Sequence, residues 1–124
     1  MQEEYTSELM AIAIELNRII PQVQGFIIDF NKTVVLYGIN VVTETSGQLN
    51  IDVPSNMTQN DIDICSKKIN ILDRLIHNHL DNFDNTLKKG YDIENKLKKI
   101  NSKHISLFTE KSKILTELKN SYKH

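Results

Sequence analysis

The sequence predicts an α+β fold: an N-terminal helix, a small antiparallel sheet of three to four strands, and a long C-terminal antiparallel helical hairpin of coiled-coil type. Three observations carry this. Apolar residues recur at three- and four-residue steps before Pro21 and again from Ile62 onward, the period of an amphipathic helix. Between them, residues 23–53 are dense in β-branched and aromatic side chains, which suit strands. Proline, glycine and asparagine fall between these stretches. A chain of 124 residues with 40% hydrophobic and 25% charged residues suits one folded domain. Its expected parts are a helix over 1–21, strands over 22–54, and hairpin arms over 57–89 and 92–122.

In the first helix Tyr5, Leu9, Ile12, Leu16 and Ile19 advance by 4, 3, 4 and 3, forming one stripe. Glu3, Glu4 and Glu8 lie near its start, where the helix dipole is positive. Pro21 is expected to end it, because proline has no amide hydrogen and disfavours helical geometry in the residue before it. Phe26 to Phe30, Thr33 to Tyr37 and Val41 to Thr43 then read as short extended runs. Thr45, Ser46 and Gly47 read as a turn. Leu49, Ile51 and Val53 alternate with Asn50 and Asp52, the pattern of a strand with one wet face.

Pro54, Ser55 and Asn56 break the strand, and Thr58 fits a helix N-cap with Asp61 in the first turn. Ile62, Cys65, Ile69, Leu72, Ile76, Leu80, Phe83 and Leu87 then advance at helical spacing. Lys88 and Lys89 before Gly90 resemble a helix end, and Asp92 could cap a following helix. In that second arm Ile93, Leu97, Ile100, His104, Leu107, Lys111, Ile114 and Leu118 keep a seven-residue repeat. The phase shifts across Gly90, which predicts the turn of the hairpin there.

Each arm carries a further apolar stripe: Ile64, Ile71 and Leu75 in the first, Ile105, Phe108, Leu115 and Tyr122 in the second. A two-helix contact buries one stripe per helix. Arms of roughly 45 Å are longer than a sheet of short strands can cover, so these seven residues are expected to form a homo-oligomer interface.

Chemistry is sparsely marked. Cys65 is the only cysteine, lies on an apolar stripe, and reads as a small buried hydrophobe. Asp73, His77 and Asp81 share one helical face, which reads as solvated polar surface rather than a metal site. No glycine-rich phosphate loop and no strained nucleophile turn occurs, so neither a catalytic residue nor a cofactor or metal site is assigned.

Residues 1–60 hold seven acids against Arg18 and Lys32, whereas residues 85–124 hold ten lysines against four acids. Lys96, Lys99 and Lys103 are the candidate contacts to an anionic ligand or nucleic acid, since lysines neutralise phosphates without reading sequence. A net charge of −1 and the lack of an aromatic–basic surface weigh against nucleic acid. Thirteen lysines against two arginines, with abundant Ile and Asn, suit an AT-rich genome, bacterial or phage. The acidic start Met1-Gln2-Glu3-Glu4 is unlike a secretory leader, and a lone cysteine suits a reducing compartment, so the expected location is cytoplasmic, away from membranes. The expected function is a non-enzymatic protein-binding module, an adaptor or inhibitor, that self-associates through its hairpin. The alternative is an oligomer that holds an anionic ligand or nucleic acid on the lysine-rich final helix.

Overall fold

A computed structural model describes residues 2–122. Met1, where the expected first helix begins, and Lys123, one of the ten lysines, lie outside the described residues. Helix α1 spans Gln2–Tyr37. A two-stranded antiparallel sheet of β1 (Asn40–Thr43) and β2 (Leu49–Asp52) follows. Helix α2 spans Gln59–Ile100 and helix α3 spans Thr109–Ser121. The coarse class is α+β, with helix dominant.

The first correction is Pro21, which lies inside α1 rather than at its end. A proline in a helix interior costs about 3 kcal/mol. It sits on the exposed side, where the carbonyl it leaves unpaired can meet water. The core stripe continues in phase across it, through Leu16, Ile19, Val23, Ile27, Phe30 and Thr33, all buried. Burying an aliphatic side chain is worth about 1.5–3 kcal/mol, so the two or three residues on either side outweigh the proline. The runs expected as strands over 26–37 are therefore helical, and among the described residues the sheet has two strands, not three or four. Thr33, β-branched and buried, donates its hydroxyl to the Asp29 carbonyl at 2.8 Å, which satisfies it without leaving the helix.

Gly38 ends α1. Its φ is +61°, a region that glycine enters without steric cost. The Gly38 amide donates to the Val35 carbonyl at 3.2 Å and the Ile39 amide to that of Val34 at 3.1 Å, the paired bonds of a Schellman cap. Ile39 is thereby turned into the core. The hairpin pairs Val41 with Ile51 and Thr43 with Leu49. Val41 is buried, whereas Val42 on the other face is exposed. The turn at 45–47 forms as expected, and Thr58 accepts the Asp61 amide at 3.2 Å as the N-cap of α2.

The second correction is Gly90. The α2 helix runs through it for 42 residues, roughly 63 Å, and Asp92 is an exposed residue inside it. The buried stripe continues Leu87, Gly90, Glu94, Leu97 at steps of 3, 4 and 3, so its phase is unbroken. Lys98 and Lys99, ten residues beyond the first lysine pair, occupy the actual last turn. The chain reverses over 101–108 instead. Helix α3, of 13 residues, then runs back along the groove between α1 and α2. Lys111 Nζ reaches Asn17 Oδ1, and Tyr122 packs edge-on to Phe30 with centroids 4.9 Å apart. The helices thus form an up-down-up bundle whose third member is short.

Gly90 is needed for close approach rather than for a turn. A Cβ there would lie 2.6 Å from the ring of Phe108, which is fully buried. Gly90→Ala gains up to about 1 kcal/mol of helix propensity but incurs an overpacking cost of about 1–3 kcal/mol. Thermal unfolding is expected to show net destabilisation in the parent chain and stabilisation in a Phe108→Leu background. A higher melting temperature for Gly90→Ala alone would mean that the ring yields freely.

Candidate functional site

The sequence-based interface divides on burial. Phe108, Leu115 and Tyr122 are inside the bundle. Because α1 is long enough to form a groove with α2, α3 fills that groove with the stripe expected to meet a second subunit. Those three residues are core in the single chain rather than exposed, which leaves only Ile105 of that stripe on the surface. Ile105, by contrast, is 84% exposed in the reversing loop, Ile64 and Ile71 are about half exposed, and Leu75 is half-buried.

Glu94 is the polar feature that sequence reasoning missed. It is buried on the α2 stripe and accepts three hydrogen bonds: from His104 Nε2 at 2.6 Å, Ser106 Oγ at 2.8 Å and the Leu107 amide at 2.9 Å. Its place seven residues after Leu87 was the available signal. A serine, a histidine and a carboxylate together invite comparison with a hydrolytic triad. The geometry differs, because serine and histidine both bond the carboxylate, and no histidine stands between nucleophile and acid. Ser106 Oγ also accepts the Phe108 amide at 3.2 Å. The cluster therefore works as a clamp on the loop.

Asp73 is also structural rather than solvated. It is half-buried, accepts the Tyr122 hydroxyl, and lies 3.2 Å from His77 Nε2. Burial, and then this hydrogen bond to Asp73, push the Tyr122 phenol far above its ordinary range. Asp81 stays exposed. Among the described residues no group of three or more His, Cys, Asp or Glu side chains is placed to hold a metal. Cys65 is buried with its thiol 3.4 Å from the Ile62 carbonyl. Lys96, Lys99 and Lys103 are exposed near the end of α2. Because α1 and α2 are antiparallel, the acidic first turns of α1, with Glu3, Glu4 and Glu8, come to that same end.

The remaining candidate is apolar. On the outer side of α1, Met10, Ile14, Ile28, Val35 and Leu36 are 52–80% exposed. Beside the last three a groove of about 760 Å³ opens, bounded by Lys32 and by Lys68 of α2. It lies beyond Tyr122, where α3 stops. Among the described residues no helix is long and apolar enough to cross a membrane. Comparison with known protein families, curated proteins and solved structures finds no match to this chain.

Two outcomes follow from the polar contacts. Glu94→Ala leaves three donors without their acceptor, at about 1–3 kcal/mol for each that stays dry, so urea unfolding is expected to show a loss of roughly 3 kcal/mol or more. A loss below about 1 kcal/mol would assign the loop's position to Phe108 alone. For Tyr122, the folded-state proton affinity exceeds the unfolded one. Its contribution is therefore complete below the ordinary tyrosine pKa of about 10 and is lost as pH rises above it, because the unfolded chain releases the proton first. Stability is expected to fall less steeply above about pH 10 in Tyr122→Phe than in the parent, as read by urea midpoints across that range.

Proposed function

We propose that this chain is a non-enzymatic protein-binding module whose docking face is the outer side of α1. One observation carries the reading: Ile28, Val35 and Leu36, at 52%, 80% and 77% exposure, line one groove together. Single exposed apolar residues are ordinary, but a contiguous group bordered by charge marks an interaction surface. Burying what the three still expose is worth roughly 3–6 kcal/mol before association costs, a contribution to docking rather than the whole of it. The groups suited to catalysis are already engaged: Cys65 is enclosed, and Glu94 is saturated by the loop. The reading includes an intracellular site of action, in line with a single buried thiol.

A second reading, an anionic ligand on Lys96, Lys99 and Lys103, draws on their exposure but must contend with the acids of α1 at the same end. Salt separates the two, because phosphate contacts weaken steeply as salt rises and apolar contacts do not. Val35→Lys with Leu36→Lys alters only exposed side chains, so the melting temperature is expected to hold. Proteins captured by the parent chain from its native host at raised salt are expected to be lost by this variant. Equal capture by both chains would refute the α1 face as the docking site.

A further inference from the structure

The outer side of α1 has an order that a general sticky patch would lack. Ile14, Pro21, Ile28 and Val35 follow one another at seven-residue steps, and all four are exposed. Residues separated by seven share a helical face, so they form a seam along about 32 Å of helix. This seam lies outside the buried stripe of α1, with Ile28 at its edge lining a cleft beside Glu117 and Ser121 of α3.

Charge on this stretch is equally ordered. Between residues 10 and 37 the charged side chains are Glu15, Arg18, Asp29 and Lys32, in the order acid, base, acid, base. Glu15 and Arg18 are in contact within the chain and remain partly open to solvent, while Asp29 and Lys32 are exposed. If two such helices lie antiparallel with a two-fold axis level with residues 23 and 24, Glu15 of each copy stands level with Lys32 of the other. Arg18 then stands level with Asp29. The same axis brings Ile14 within two residues of the level of Val35, and Pro21 within two of Ile28. An in-register parallel pair would instead set acid on acid and base on base.

Gly25 lies beside that axis. A Cβ added there would meet nothing within 4 Å of its own chain, so the fold gives no steric reason for a residue that costs about 1 kcal/mol against alanine in a helix. Gly90, in the same molecule, has such a reason in Phe108. A second backbone crossing near Gly25 would supply the missing one.

We infer that the occupant of the α1 face is a second copy of this chain, packed α1 against α1 in antiparallel about a two-fold axis near residues 23 and 24. The inference rests on the α1 face being a docking surface. It assigns to that face the one partner whose apolar seam and charge order are guaranteed to complement it, since a two-fold interface presents the same surface twice. The charges set direction and register, and the apolar seam supplies the adhesion.

Light scattering on the full chain across micromolar concentrations tests it. The parent is expected to be a dimer, and Ile28→Lys a monomer with unchanged helical circular dichroism. Lys32→Glu sets acid against Glu15 and is expected to weaken the dimer roughly tenfold; adding Glu15→Lys is expected to restore it. A parent that stays monomeric overturns the pairing. So does a dimer indifferent to Ile28→Lys, or a charge swap that fails to restore association. If the parent is monomeric yet Val35→Lys with Leu36→Lys still abolishes capture of a host protein, the pairing fails while the docking face stands.

Discussion

The position of the final fifth of the chain depends on one buried carboxylate. Glu94 occupies a core position on α2, where an unpaired charge would cost several kcal/mol. It is kept there by three donors from a loop that has no regular structure of its own. The dependence is mutual. Without Glu94 the loop's amide, hydroxyl and imidazole would need water, and without the loop Glu94 could not stay enclosed. Four residues earlier on the same stripe, Gly90 leaves room for Phe108, whose carbonyl also accepts the Tyr91 hydroxyl at 3.3 Å. Two adjacent core positions of α2 thus receive the reversing loop, one by hydrogen bonds and one by space.

This explains why the reversal was misplaced when read from sequence. A hydrophobic pattern recognises apolar residues, and the two positions that continue the α2 stripe past Leu87 are a glycine and a glutamate. Both have partners only in the loop, ten or more residues downstream, so nothing local identifies them as core. The Lys88-Lys89-Gly90 run imitates a helix end, whereas the actual end repeats the lysine pair at Lys98 and Lys99 and stops at Asn101. What was legible was whatever local chemistry decides. This includes the α2 stripe as far as Leu87, the Thr58 cap, the turn at 45–47 and the strands around it.

Helix α1 presents the opposite problem. There the core stripe over 26–37 was present in the sequence but masked by additional apolar residues on the wet side, and the mixture read as strand. Once α1 is continuous, the rest of the architecture follows. A helix of roughly 54 Å beside α2 makes a groove long enough to seat α3, and Phe108, Leu115 and Tyr122 pass from surface to core. Tyr122 closes the groove by packing on Phe30 and bonding Asp73, a residue whose polar neighbours had suggested simple solvation. The candidate site could not be read correctly while the helix that carries it was divided at Pro21.

The apolar surplus noted in the sequence remains in part where it was expected, at Ile64 and Ile71 of α2, and extends to the outer side of α1. Ile100, Ile105 and Leu107 are exposed around the loop, where irregular backbone limits how side chains can be buried, and they need no further explanation. Those on α1 are different. A solvated helix face can carry lysine or glutamate at no expense to its core, and α2 does so at Lys88, Lys89, Lys96 and Lys99. The α1 face instead repeats apolar residues every seven positions beside a glycine with empty space above it. Folding the single chain requires neither the repeat nor the glycine. The proposed packing of a second surface against this face would account for both.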